Sequence, residues 1–167
     1  PAYPLAYGRK LAVQADGKIV IAGTAFDAAN TQSIALMRVL ANGAPDAAFG
    51  SGGKSTATTA FGVSGIHVAL QNNGKIVVGG AINNDLAGTS TTAAAARFTA
   101  TGTLDTVFGT SGYATVTPPG YDTSNGSEVI YVAGNKILLR VIAERSATTQ
   151  DAEFLVRLDS GSGAGCH

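Results

Sequence analysis

Asp16-Gly17-Lys18-Ile19-Val20-Ile21-Ala22-Gly23 returns as Asn73-Gly74-Lys75-Ile76-Val77-Val78-Gly79-Gly80, and in degenerate form as Gly134-Asn135-Lys136-Ile137-Leu138-Leu139-Arg140-Val141. The copies lie 57 and 61 positions apart. A second series, Ala35-Leu36-Met37-Arg38, Ala94-Ala95-Ala96-Arg97 and Phe154-Leu155-Val156-Arg157, recurs at spacings of 59 and 60. A third element, Asn42-Gly43-Ala44-Pro45-Asp46-Ala47-Ala48-Phe49-Gly50, is matched 59 positions later by Thr101-Gly102-Thr103-Leu104-Asp105-Thr106-Val107-Phe108-Gly109. Three markers in the same order exclude chance and define an internal repeat of about 60 residues.

One repeat reads as four short strands, in the first copy at about 10–15, 18–25, 33–40 and 54–60. Asp16-Gly17 and Asn73-Gly74 mark tight hairpins with a primed turn, because Gly and Asp tolerate positive φ. In the third copy Asn135 is expected to take the left-handed position. Ile19-Val20-Ile21 and Ile76-Val77-Val78 are β-branched runs suited to a strand covered on both faces. The run Ala93–Ala96 has helical propensity, but its register with residues 33–38 assigns it to a strand.

A four-stranded unit repeated at this period is the signature of a propeller blade. The expected fold is therefore all-β, a β-propeller-like repeat of four-stranded antiparallel blades, three per chain. The expected domain spans 1–159, with repeats at about 8–60, 65–119 and 126–159, and residues 160–167 form a Gly/Ser tail. Phe49 and Phe108 are expected to plug the seams between blades, after Asp46 and Asp105 cap the preceding turn through backbone N–H bonds. Arg38, Arg97 and Arg157 share one column, read as a scaffold salt bridge or a snorkelling strand residue, with a repeated ligand contact as the alternative. Gly17, Gly74, Gly50 and Gly109 complete the structural positions of the repeat.

These elements resemble the bacterial delta-60 repeat, whose pattern runs D-G-K-I-V-hydrophobic-G, then A-hydrophobic-hydrophobic-R, then N-G-x-L-D-x-x-F-G-x-x-G. Asp16–Gly23 and Asn73–Gly80 correspond to the first element, Ala35–Arg38 and Ala94–Arg97 to the second, and residues 42–53 and 101–112 to the third. The resemblance covers about residues 10–159, strongly for two repeats and weakly for the third, where Arg140-Val141 replaces the small pair and no F-G element follows Arg157. It implies a propeller-like, secreted or surface-exposed protein, and it brings no catalytic residues.

Three blades do not make a ring, since propellers have about four to eight. Two completions follow: a homodimer closing three-plus-three, or further repeats of a longer chain. The segment Ala2–Tyr7 is expected to supply the strand that the last blade lacks, with Pro4 fitting an edge strand. The start at Pro1 is consistent with a processed or excised chain.

Composition narrows the function. The 167 residues include 22 Gly, 11 Lys plus Arg and 11 Asp plus Glu, with 13% charged and 45% hydrophobic. A balanced charge offers no footprint for phosphate backbones, so nucleic acid is not an expected partner. No run reaches the about 18 apolar residues of a membrane span. The single Cys166 forms no intrachain disulfide. Low charge with abundant Thr, Gly and Ala favours a secreted or cell-surface bacterial product.

No metal site or cofactor is expected: Cys166-His167 supplies only two adjacent ligands, and no phosphate-binding loop follows a strand. His67, in the column of Lys10 and Glu128, is the non-repeated titratable group, and with Arg140 and Glu144 it forms the candidate catalytic set. Arg140 and Glu144 share a strand face and are read as a local ion pair. A triad of His67 with Ser64 and Asp85 lacks the sequence context of an activated serine. Asp85, Tyr113 and Tyr121 are candidate ligand-binding residues, the tyrosines for a glycan platform. The leading expectation is a non-catalytic module that binds a protein or glycan or assembles into a ring. A propeller-type hydrolase or lyase and a carbohydrate-binding module are the alternatives.

Overall fold

The computed structural model describes residues 5–59, 62–85, 87, 89–132, 136–145 and 150–159. Within them lie strands β1 (Leu5–Val13), β2 (Ile19–Phe26), β3 (Gln32–Val39), β4 (Lys54–Ala57), β5 (Val63–Leu70), β6 (Ile76–Asn83), β7 (Thr91–Phe98), β8 (Tyr113–Val116), β9 (Thr123–Val132), β10 (Lys136–Arg145) and β11 (Gln150–Asp159). They form three antiparallel sheets, ordered β1-β2-β3-β4, β5-β6-β7-β8 and β9-β10-β11, here blades one, two and three. The protein is thus all-β, with propeller-like blades of four, four and three strands; the described residues close no ring. The Ala93–Ala96 run lies in β7, as its repeat register requires.

The hairpin turns differ in detail from expectation. Gly17 N–H donates to Gln14 O and Gln14 N–H to Lys18 O, and the same pair of bonds joins Gln71, Gly74 and Lys75. Only the glycines, Gly17 and Gly74, take positive φ there. This is the longer hairpin loop in which one left-handed glycine follows the turn, rather than a two-residue primed turn. Asp16 and Asn73 serve by accepting the N–H of Lys18 and Lys75 with their side chains. The third-repeat turn at Gly134-Asn135, the tail 160–167 with Cys166 and His167, and residues 1–4 lie outside the described residues.

Apolar residues alternate along each strand onto opposite faces, so a blade has two apolar sides and buries each against a neighbour. Val20, Ala22, Ile34 and Leu36 of blade one meet Val63, Ile76, Val78 and Phe98 of blade two, with Phe49 in the same cluster. Val77, Ala93 and Ala95 on the other side of blade two meet Ile137, Leu139 and Val141 of blade three, with Phe108 among them. The two phenylalanines sit in the two seams, as the repeat implies. β6 is buried from Ile76 through Ala81, which fits a strand covered on both faces.

Each plug is held by one arrangement of charges. Arg38 Nε donates to Asp46 Oδ2 at 2.8 Å, and its guanidinium lies 4.5 Å from the Phe49 ring centre. Arg97 Nε donates to Asp105 Oδ2 at 2.7 Å, again 4.5 Å from the centre of Phe108. Asp46 also accepts the Ala48 N–H, capping the turn. Asp105 takes a further bond from Lys75 Nζ at 2.8 Å. All four Arg and Asp residues are buried, and a buried charge of this kind is tolerated because it is both paired and hydrogen-bonded. Blade one then reaches into blade two: Arg38 Nη1 donates to Ala100 O, Gly50 N–H to Thr101 O and the Ser55 hydroxyl to Gly102 O. Blades two and three are stitched by Ser124, whose hydroxyl accepts the Ala93 N–H and donates to Val116 O.

The N-terminal segment differs from expectation over its described part. Leu5–Tyr7 begin β1 and pair with Phe26–Thr24 inside blade one, rather than standing apart as a strand for the last blade. Arg157 of β11 is exposed.

Two substitutions test this account. Phe49→Ala lowers the unfolding free energy by about 3–5 kcal/mol in urea titration, while Val107→Ala, at a site 71% exposed, stays within about 0.5 kcal/mol. Burial pushes the Asp105 carboxyl up, but hydrogen bonds from Lys75 and Arg97 outweigh it and hold the group below its ordinary 3.8. Its stabilisation is therefore present above that value and lost as pH falls through the lower folded one. Asp105→Ala costs about 3 kcal/mol at neutral pH, and the gap to the parent narrows in acid. A gap that stays constant to pH 2 contradicts the paired carboxylate.

Candidate functional site

The first strand of each blade carries an irregularity at one place: between Gly8 and Lys10 in β1, between Gly65 and His67 in β5, and opposite Arg140/Val141 in β9. A bulge inserts one residue and switches the face that the following side chain occupies. After it, Lys10 faces Ala22, His67 faces Gly79 and Glu128 faces Arg140 across the first strand pair of each blade. β1, β5 and β9 lie side by side, so the three bulged columns form one row along the innermost edge of the stack.

The row is electrostatically connected. Burial pushes the His67 imidazole below its ordinary 6.5, the charges of Lys10 and Arg140 push it further down, and Glu128 opposes them. Arg140 Nε donates to Glu153 Oε1 across β10 and β11. That bond holds the Glu153 carboxyl below its usual range and the Arg140 guanidinium above its own. The pair is exposed over about half its surface, with side-chain exposures of 39% and 56%. The row thus sets the His67 imidazole in the field of one carboxylate, Glu128, and two cations, Lys10 and Arg140.

His67 and Arg140, both singled out from sequence, are brought together here. Glu144 is not: its register partners are Thr123 and Asp151, and the ion pair expected between Arg140 and Glu144 is made with Glu153 instead. Glu153 escaped notice because only the β10–β11 register places it near Arg140. Lys75 was missed as an Asp105 partner, although the repeated D/N-G-K triplet carried the signal. Asp85 accepts the N–H and hydroxyl of Thr89 and the N–H of Ser90, closing the β6–β7 loop on itself. The Ser64 side chain lies outside the described residues.

The two candidate tyrosines do not share a surface. Tyr113 is buried in the seam of blades one and two, its hydroxyl donating to Thr58 O, and burial pushes its pKa up to about 12. Tyr121 packs edge-on against Phe154 with the Arg145 guanidinium 5.1 Å from its ring centre. Among the described residues no group of three or more His, Cys, Asp or Glu is placed to hold a metal ion, and no helix is long and apolar enough to cross a membrane.

With this geometry in view, the comparisons fall into place on the first two blades. Residues 14–49 and 71–108 match the family model of a domain of unknown function, DUF5122, described as a beta-propeller. Both matched segments start at the glutamine before the hairpin turn and end on the seam phenylalanine. The similarity supports a propeller-like repeat fold. No curated protein matches the chain.

The neutral imidazole has a measurable consequence. Because the folded His67 binds a proton less readily than the unfolded one, the unfolded chain gains protons first as pH drops below 6.5, and stability falls with it. His67→Gln removes this part of the pH dependence. Urea midpoints at pH 7.5 and 5.5 are expected to differ more for the parent than for the variant; equal differences would show that His67 carries no shift.

Proposed function

We propose that the chain is a delta-60-type, non-catalytic assembly and binding module, built to stack blades and to present the row of Lys10, His67 and Glu128 at their inner edge. The observation that supports this most is the use of its buried charges. Arg38, Asp46, Arg97 and Asp105 hold seams together, and Arg140 beside the inner row is paired with Glu153. An enzyme of the hydrolase or lyase type is the second reading, favoured by the meeting of His67, Glu128 and Arg140 in one electrostatic neighbourhood. A glycan platform loses support, since Tyr113 is buried and Tyr121 is engaged by Phe154 and Arg145.

Ring completion takes one of two routes, a second chain or further repeats, and the composition argues for secretion or surface display. Light scattering coupled to size exclusion, with reductant present, separates the routes. A particle of twice 16.7 kDa means that two chains assemble, and one of 16.7 kDa removes the dimer. For the enzyme reading, a hydrolase substrate panel is run with the parent and His67→Gln. Turnover lost in the variant would overturn the non-catalytic assignment.

A further inference from the structure

The two ends of the blade stack are chemically different. On the side of blade one that faces away from blade two, Leu11 and Val13 are each 61% exposed, and Ile19, Ile21 and Val39 are only partly buried. These five stand in the repeat columns of Val68, Leu70, Ile76, Val78 and Phe98. In blade two those residues pack into the seam with blade one, and Ile76, Val78 and Phe98 are fully buried there. The same aliphatic surface is thus built twice and covered once.

The turn that receives the latch is also built twice. In blade two, the carbonyls of Ala100, Thr101 and Gly102 accept Arg38, Gly50 and Ser55 of blade one. The Phe49 ring sits so close that a Cβ at Gly102 would lie 2.8 Å from it. Blade one has the same turn at Ala41–Gly43. Gly43 N–H donates to Leu40 O as Gly102 N–H does to Thr99 O, and the φ values are 84° and 88°. Among the described residues no donor reaches the carbonyls of Ala41, Asn42 or Gly43, and a Cβ at Gly43 would meet nothing within 4 Å. The space taken by an aromatic ring beside Gly102 is open beside Gly43.

The far side of blade three is different. Arg140 stands in the column of Ala22 and Gly79, which are small and buried. It is tied to Glu153 and flanked by Glu128, and Leu155 beside it is exposed. Stacking this ladder on an aliphatic face would strip water from the pair with no compensating bond.

We propose that the outer face of blade one, with the Ala41–Gly43 turn, is a docking site for one further β-blade carrying the same Arg–Asp–Phe–Gly latch, and that the polar far side of blade three is not its partner. This rests on reading the chain as an assembly module and names its partner: a repeat blade with an aliphatic face like Val20, Ala22, Ile34 and Leu36, not a second copy of this chain.

The test extends the full chain by duplicating residues 6–62 ahead of Ala6, which keeps the 57-residue spacing of blades one and two. If the added blade docks, the extended protein melts in one transition at least about 5 °C above the parent. Phe49→Ala in the added copy alone removes that gain. Gly43→Asn in the receiving copy also removes it, yet changes the unextended chain little, since Asn tolerates left-handed backbone. An added blade that melts separately, or a Gly43→Asn effect equal in both proteins, overturns the proposal. So does an unextended chain that is a dimer and loses its dimeric mass on Ile21→Lys. The module reading itself fails separately, by His67-dependent turnover in the unextended chain.

Discussion

Burying a guanidinium between two β-sheets is costly unless its charge, its donors and its flat faces are all engaged, and the latch of this protein engages all three. Arg38 and Arg97 each give Nε to an aspartate carboxylate and a face to a phenylalanine ring. The aspartates fix the turn that carries the ring, and the ring closes the seam. Each latch therefore turns a surface charge pair into the joint between one blade and its neighbour. Its position in sequence, between the third and fourth strands, ties the outer strand of a blade to the packing of its inner ones. An isolated four-stranded sheet with two apolar faces has no such stability of its own, so the blades depend on the seams.

The same logic explains the asymmetry of the stack. Ala22 and Gly79, small residues of one repeat column, are buried. Arg140 in that column replaces packing with a solvated ion pair. The apolar side of blade one keeps every feature of a seam, including an empty latch turn. The two outer faces of the described blades thus differ, one aliphatic and one carrying a half-exposed ion pair.

The inner row has a different physics. The three bulges turn Lys10, His67 and Glu128 onto corresponding positions, where like and unlike charges partly cancel and the imidazole stays neutral. The variation of this column between repeats contrasts with the constancy of the latch. Columns that repeat hold the blades together, and this one differs in every blade.

The amino-acid sequence by itself determined the period, the number of blades, the strand centres and the seam phenylalanines. Those features follow from local causes: β-branched runs, glycines at turns, and a repeat that makes each copy a control for the others. Even the Ala93–Ala96 run was legible as strand, because register outweighed its propensity. The turn geometry at Gly17 and Gly74 was not, since the Asp-Gly and Asn-Gly pairs fit two hairpin loops and the chain takes the one with a single left-handed residue. Only the tertiary structure decided which polar groups meet. Glu153 reaches Arg140 through the β10–β11 register, Lys75 joins Asp105 across thirty residues, and Tyr113 turns into a seam rather than outward. One inserted residue in a strand reverses the faces of those that follow, and stacking joins residues that no sequence spacing relates.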